Sequence, residues 1–137
     1  MIFLTVSVLA LSFPGCGKKE NTSDRTLRVG IVTYTQDDPF INTMTEQIRE
    51  DLKLKESKDM KILVSVKNGD NDQRDQDELV EEMIAAGCDV LCVNLVDRTA
   101  PSDIIKAARQ EKIPVIFFNR EPVKEDLMQW EVGGQAV

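Results

Sequence analysis

The stretch Arg28-Val29-Gly30-Ile31-Val32-Thr33-Tyr34 is rich in β-branched residues and predicts a strand. From Pro39 onward, apolar residues recur every three or four positions, which predicts a helix. The same alternation continues, with further strands predicted at 60–66, 89–94 and 114–118. Strands joined by helices at this spacing run parallel. We therefore predict an α/β fold, a doubly wound parallel sheet with helices on both faces.

The predicted helices have apolar faces and recognisable ends. Asn71 or Asp72 can cap the second helix, Gly87 is placed to end it, and Pro101 suits the first turn of the third. The apolar faces are formed by Ile41, Met44, Ile48 and Leu52 in the first helix, by Leu79, Val80, Met83 and Ile84 in the second, and by Ile104, Ile105 and Ala108 in the third.

Composition excludes several classes of function. The 137 residues suffice for one domain, and the formal net charge of −7 argues against nucleic acid, because a phosphate backbone needs a basic surface. The chain has no histidine, the commonest general base and metal ligand. The loop from Thr35 to Phe40 has two carboxylates and no glycine, so it cannot cradle a pyrophosphate. With no nucleophile motif either, we predict that the protein is not an enzyme and holds no cofactor.

The N-terminal residues predict export. Residues 1–13 are almost entirely apolar but shorter than the roughly 20 residues that span a bilayer, which is typical of a signal-peptide core. A small residue before Cys16, where the chain turns polar, resembles a lipoprotein cleavage site and implies a lipid anchor. We predict a signal peptide over 1–15, lipidated Cys16 with a polar tether over 16–26, and a lobe over 27–137. The alternative is a plain secretory signal with an incidental cysteine.

The two remaining cysteines, Cys88 and Cys92, lie around the third predicted strand. Within one strand they would share a face about 13 Å apart, too far for a disulfide. We predict two buried free thiols.

Polar residues follow the predicted strands. In open α/β sheets the ligand lies beyond the carboxyl ends of the strands. Carboxylates accept hydrogen bonds from hydroxyl groups, Asn and Arg donate them, and an aromatic ring can lie against the apolar face of a pyranose. This set suits a neutral polyol. The segments concerned are Asp37-Asp38-Pro39-Phe40, Asn94-Leu95-Val96-Asp97 and Asn119-Arg120-Glu121-Pro122.

Over about residues 28–133 the sequence resembles the galactose/glucose-binding proteins, a branch of the periplasmic sugar-binding superfamily. The Asp-Asp-x-Phe loop, the Asn-Leu-Val-Asp run and the Phe-Phe-Asn-x-Glu-Pro run are the pieces most specific to that branch. The resemblance implies the N-terminal lobe of a two-lobe fold that holds the sugar between its lobes. The full set of matching pieces is Val29-Gly30-Ile31, Tyr34 with Asp37-Asp38-x-Phe40, Asn71-Asp72-Gln73, Asn94-Leu95-Val96-Asp97 and the run from Pro114 to Pro122.

The resemblance also implies roles for three residues. Asp38 and Asn119 would hydrogen-bond the sugar hydroxyls, and Phe40 would stack on the ring. Arg120 stands where the family usually carries Lys, and we treat it as a neighbour rather than a ligand. Each has an alternative: Asp38 as a helix N-cap, Phe40 as a core residue and Asn119 as a turn residue.

Other polar residues near the strand ends have different predicted roles. Asn94 and Asp97 are expected to close the turn between strand and helix. Asp70 and Asp72 suggest Ca²⁺, but Arg74 interrupts the alternating ligand pattern. The family's calcium loop lies in the other lobe, so we predict no metal here.

The resemblance implies an extracytoplasmic, membrane-anchored protein that binds D-galactose or D-glucose and delivers it to the permease of an ABC-type importer. The alternative is a sugar-sensing module for a membrane receptor, chemotaxis or kinase system. The family's chain continues past a hinge into a second lobe, and this sequence stops near the first hinge crossing. Because hinge closure needs both lobes, we expect the 137-residue chain alone to bind sugar more weakly than about 1 mM, or not at all.

Overall fold

A computed structural model of the protein describes residues 25–123. Four strands and three helices alternate along this part of the chain. They are β1 (Arg25–Thr33), α1 (Pro39–Leu54), β2 (Met60–Asn68), α2 (Gln73–Ala85), β3 (Val90–Val93), α3 (Ser102–Gln110) and β4 (Val115–Phe117). The strands are all parallel and lie in the order β2-β1-β3-β4. The predicted doubly wound α/β fold is confirmed.

Alternate residues of β1 face opposite sides of the sheet, and both sides are covered. Val32 packs in a cluster with Val80 of α2 and Ile104 of α3. Ile31 belongs to a second cluster, which Ile48 and Leu52 of α1 cover. Neither Ile31 nor Val32 is exposed at all. Helix α1 therefore covers one face and helices α2 and α3 the other, which is why β1 reads as a continuous apolar run.

The predicted helix ends are largely confirmed. Helix α1 begins at Pro39, and Asp72 rather than Asn71 caps α2. Gly87 follows the C-cap of α2 with φ +79°, a left-handed conformation that glycine adopts without a steric cost. Its N–H donates to the carbonyl O of Ile84 at 2.9 Å, which ends the helix. Pro101 is the N-cap position of α3 rather than a residue of its first turn.

The prediction for the cysteines was correct on pairing and wrong on placement. Cys88 and Cys92 are both free. Because β3 begins only at Val90, Cys88 lies before the strand and packs on the α2 and α3 side, whereas Cys92 packs on the α1 side. Both thiols are only partly buried, and desolvation raises the pKa of each.

The N-terminal boundary differs slightly from the prediction. β1 includes Arg25 and Thr26, which were predicted to belong to the tether, because both pair with β2. Residues 1–24, with the predicted signal peptide and Cys16, lie outside the described residues, as do residues 124–137. No helix between residues 25 and 123 combines the length and apolar character needed to cross a bilayer.

Candidate functional site

The strand order reverses between β1 and β3. Helix α1 leads from β1 to β2 on one face, while α3 leads from β3 to β4 on the other, so the loops after β1 and β3 diverge. A topological switch point of this kind is where ligands bind in open α/β sheets. The structure places Asp38 and Phe40 after β1 and Asn119 after β4. All three predicted site residues therefore lie at the carboxyl edge of the sheet.

Asp38 is a helix N-cap with both carboxylate oxygens engaged. Oδ1 accepts hydrogen bonds from the backbone N–H groups of Phe40 (2.8 Å) and Ile41 (3.4 Å). Oδ2 accepts a hydrogen bond from the Tyr34 hydroxyl at 2.7 Å. The Tyr34 bond, followed by the Phe40 N–H bond, holds the pKa of Asp38 below its usual value, so the side chain is a carboxylate at neutral pH. The cap role is thus present, and one acceptor position on Oδ2 stays available to a ligand.

Tyr34 and Arg120 form a pair that was not predicted from the sequence. The guanidinium carbon of Arg120 lies 4.4 Å from the centroid of the Tyr34 ring, a cation–π contact. Arg120 Nη2 also donates to the carbonyl O of Val96 at 2.8 Å. The bond to Asp38 is the main cause that raises the pKa of Tyr34. Arg120 therefore joins the loops after β1, β3 and β4, in keeping with its predicted place beside the ligand residues.

Asn94 joins the ends of three strands. It is fully buried, and its Oδ1 accepts from the backbone N–H of Tyr34 at 3.4 Å. Its Nδ2 donates to the carbonyl O of Phe118 (3.0 Å) and to Oδ1 of Asn119 (3.1 Å). A buried side-chain amide with both ends paired rigidifies what it links. Asn94 thus has a wider structural role than the predicted turn closure.

Gln76 supports the same loop from α2. It is fully buried, its Nε2 donates to the carbonyl O of Asn94, and its Oε1 accepts from the N–H of Val96, both at 2.9 Å. Gln76 was not among the residues predicted from the sequence. A usable signal existed, because Gln76 lies one helical turn before Val80 on the buried face of α2. A glutamine on an apolar helix face indicates a buried amide that needs partners.

Asn119 is exposed and stands in the left-handed region with φ 58°. Its Oδ1 accepts the bond from Asn94, and within residues 25–123 its Nδ2 donates to no acceptor. The turn role is supported by the left-handed backbone, which Asn tolerates better than most residues. Its side-chain N–H₂ is nonetheless available as a donor to a ligand.

Phe40 is 58% exposed at the second residue of α1. The alternative in which Phe40 is a core residue is therefore wrong. Its backbone N–H donates to Oδ1 of Asp38 at 2.8 Å, so the two residues meet at the start of α1. An exposed aromatic ring leaves a large apolar face open to a ligand.

Two acidic residues near the site have local structural roles. Asp72 caps α2 by accepting from the N–H groups of Arg74 (2.8 Å) and Asp75 (3.2 Å). Asp97 accepts from the hydroxyl and the N–H of Thr99, and these bonds lower the pKa of Asp97. Asp97 therefore closes its own turn, as expected. Between residues 25 and 123 no three His, Cys, Asp or Glu side chains are placed to hold a metal ion.

Two surface cavities in the described part of the chain lie away from the site. One, of about 310 Å³, lies between α2 and β2 and is lined by residues that include Leu63 and Met83. The other, of about 290 Å³, lies between α2 and α3. The predicted site residues Asp38, Phe40 and Asn119 line neither of these two cavities.

The parallel sheet, with polar loops at its carboxyl edge, has the architecture of one lobe of an open α/β binding protein. The periplasmic binding protein domain matches residues 29–135, which include every predicted ligand residue. The chain belongs to the periplasmic binding protein family, whose members are solute-binding proteins. It is 32% identical over 104 residues to the D-galactose/methyl-galactoside binding periplasmic protein of Haemophilus influenzae, a match that covers 76% of this chain and 30% of the relative.

Solved structures share the fold. A periplasmic solute-binding protein of an ABC transporter from Actinobacillus succinogenes, with bound D-allose, matches with a TM-score of 0.64 and 21% identity over 77% of this chain and 36% of its own. The fructose-binding periplasmic domain of a hybrid two-component system matches with a TM-score of 0.63 and 22% identity over 72% of this chain and 31% of its own. The chain thus spans about a third of the length of the relatives it matches.

Proposed function

We propose that this chain is the sugar-binding N-terminal lobe of an extracytoplasmic binding protein for D-galactose or D-glucose. Asp38 accepts hydrogen bonds from sugar hydroxyls, Asn119 donates to them, and Phe40 stacks on the ring. The protein is anchored to the membrane through lipidated Cys16 and delivers its sugar to the permease of an ABC-type importer. It performs no catalysis, and this lobe holds no metal.

The observation that carries the proposal is the rim at the strand ends. An ionised carboxylate at Asp38, an exposed ring at Phe40 and an available N–H₂ at Asn119 stand in loops that buried amides hold together. The rim offers one acceptor, one donor and one apolar surface. The first two suit the hydroxyl groups of a neutral hexose, and the third suits its apolar face. The 32% identical galactoside-binding relative supports a hexose in particular.

An NMR titration of the isotope-labelled chain tests the sugar. D-Galactose, D-glucose and D-ribose would be added to about 100 mM, because we expect a dissociation constant weaker than about 1 mM for one lobe. Galactose or glucose should shift the resonances of the loops after β1, β3 and β4 and leave those of Gly87 and the α2 C-terminus in place. Shifts that are larger with ribose than with either hexose, or shifts that fall outside these loops, would contradict the assignment.

Membrane anchoring is tested separately. In cells, Cys16→Ser should move the protein from the membrane fraction to the soluble extracytoplasmic fraction, because acyl chains anchor only through the cysteine. Cys88→Ser is the control, since Cys88 is a partly buried thiol of the lobe, and it should leave the protein in the membrane fraction. Membrane retention of the Cys16→Ser protein would contradict lipid anchoring.

A sensory module is the second candidate. It is favoured by the likeness of fold to the fructose-binding domain of a two-component system. The genes beside the coding sequence separate the two candidates, because an importer requires a permease and an ATPase whereas a sensor requires a kinase. Capture of the neighbouring permease by the anchored protein would support transport.

A further inference from the structure

The Asp38 carboxylate has little freedom left. Three hydrogen bonds reach it, two from backbone N–H groups to Oδ1 and one from the Tyr34 hydroxyl to Oδ2. An ionised carboxylate offers about four acceptor positions. The two backbone bonds reach only Oδ1 and would leave Oδ2 unpaired. The bond from Tyr34 therefore sets the direction of the remaining lone pair on Oδ2.

Tyr34 is itself held on several sides. Its backbone N–H donates to Asn94 Oδ1 at 3.4 Å, and its carbonyl O accepts from the N–H of Asn71 at 2.8 Å. Arg120 covers its ring at 4.4 Å and is fixed in turn by the bond to Val96. Contacts from the loops after β2, β3 and β4 thus meet on this one side chain and its backbone.

We propose that Tyr34, held by Arg120, is a positioning residue of the sugar site, which fixes the Asp38 carboxylate so that one acceptor position on Oδ2 faces a ligand hydroxyl. The proposal rests on the proposed function, because it assigns Tyr34 a role in that same site. The competing explanation is that the Tyr34–Asp38 bond only strengthens the start of α1.

The role has a physical reason. A carboxylate that is already oriented loses less conformational entropy when the ligand binds. The entropic cost of binding is therefore smaller and the affinity is higher. A hydroxyl that donates to the charged form also keeps the carboxylate ionised at lower pH, in agreement with the lowered pKa of Asp38. A purely structural bond would affect the stability of the lobe and leave the ligand affinity unchanged.

The test is Tyr34→Phe in the labelled chain, with two readouts. The first is the side-chain carboxyl ¹³C signal of Asp38 followed with pH, whose pKa should rise towards its ordinary value of about 3.9. The second is the NMR titration with D-galactose at pH 7, where the affinity should fall by roughly three- to ten-fold, the usual effect of one such hydrogen bond. At about pH 4 the loss should be larger, because a larger fraction of Asp38 is then protonated in the variant than in the wild type.

Two further variants complete the design. Thr43→Ala removes an exposed hydroxyl that donates to the carbonyl O of Pro39 at 2.8 Å on the same helix, and it should change neither readout. Arg120→Gln removes the cation from the Tyr34 ring and should lower the affinity in the same direction as Tyr34→Phe.

The outcomes separate the two proposals. An unchanged pKa of Asp38 in Tyr34→Phe, or a raised pKa with wild-type affinity for galactose, would overturn the positioning role. If ribose shifts the loop resonances of the wild-type chain more than galactose or glucose does, the proposed function fails, and the carboxyl titration still decides whether Tyr34 holds Asp38.

Discussion

The side-chain Nε2 of Gln76 donates a hydrogen bond of 2.9 Å to the carbonyl O of Asn94, and both residues are fully buried. The same amide accepts from the N–H of Val96, so a helix side chain replaces two backbone partners that the loop after β3 lacks. Because Asn94 in turn joins the ends of β1 and β4, the shape of the site depends on this contact.

Loss of the Gln76 amide should destabilise the lobe. Gln76→Leu keeps the approximate volume but removes both hydrogen bonds inside the protein, and we expect a loss of about 2–4 kcal/mol in the free energy of unfolding. Urea unfolding measures it. The matched control is Gln47→Leu, whose amide makes an exposed contact with Asp51 and whose loss should cost less than about 0.5 kcal/mol. Equal midpoints for the two variants would show that the buried bridge does not contribute.

The ligand-binding role of the Asp38 carboxylate and its helix N-cap role can be tested separately. Asp38→Asn keeps a side-chain oxygen for the N-cap but removes the carboxylate, and Asn caps helices about as well as Asp. We therefore expect near wild-type thermal stability and a loss of galactose affinity of ten-fold or more, since bonds to charged groups are the stronger kind.

Asp72→Asn is its matched control, because Asp72 caps α2 with the same pair of N–H bonds. It should bind galactose as the wild type does. A similar loss of affinity in both variants would mean that Asp38 acts only through the helix.

The amide of Asn119 can be removed without backbone strain. Asn119→Gly retains the left-handed conformation and loses only the side chain, so the fold should persist while galactose affinity falls by about five- to ten-fold. The control is Asn71→Gly, an exposed residue with φ 62° in the loop after β2. Calorimetric unfolding and the NMR titration together check both variants, and unchanged affinity in Asn119→Gly would remove Asn119 from the site.

The Tyr34–Asp38 bond makes stability depend on pH at both ends of the scale. The lowered pKa of Asp38 means that its contribution is present above about pH 4, the unfolded value, and is lost as the pH falls through the folded pKa. The raised pKa of Tyr34 means that its contribution is present below about pH 10 and is lost as the pH rises through the folded pKa. The stability difference between wild type and Tyr34→Phe should therefore be largest between these limits.

Tyr34 is the only tyrosine in the chain, so the tyrosinate absorbance reports it alone. Its midpoint should lie above the ordinary value of about 10 in the wild type and fall in Asp38→Asn. A midpoint that does not move in Asp38→Asn would show that the hydrogen bond is not formed in solution.

Gly69 allows two strand ends to approach. A Cβ there would lie 2.9 Å from the carbonyl O of Thr33 and 3.2 Å from Cβ of Gln76. Gly69→Ala should therefore cost about 1–3 kcal/mol in the free energy of unfolding, the usual effect of overpacking. Gly87→Asn is the control, because nothing lies within 4 Å of a Cβ at Gly87 and Asn tolerates its positive φ. A larger loss in the Gly87 variant would contradict the steric explanation.

Local chemistry in the sequence was sufficient for the elements of this fold. The β-branched run of β1, the Asp38-Pro39 start of α1 and the glycine that ends α2 all act within a few residues, so they are visible in the sequence. The same local signals placed Asp38, Phe40 and Asn119 after their strands. They misplaced Cys88, which lies before β3 and packs on the α2 and α3 side, because the alternation of faces holds only for residues within a strand.

The sequence by itself thus determined the order and type of the elements and which polar residues follow each strand, since propensity, periodicity and capping are short-range effects. Only the tertiary structure decided that Tyr34 contacts Arg120, that Asn94 contacts Asn119 and that Gln76 binds the backbone of Asn94. These contacts join segments that are far apart in the chain. It also decided that Phe40 is exposed, since burial depends on which helix covers which face of the sheet.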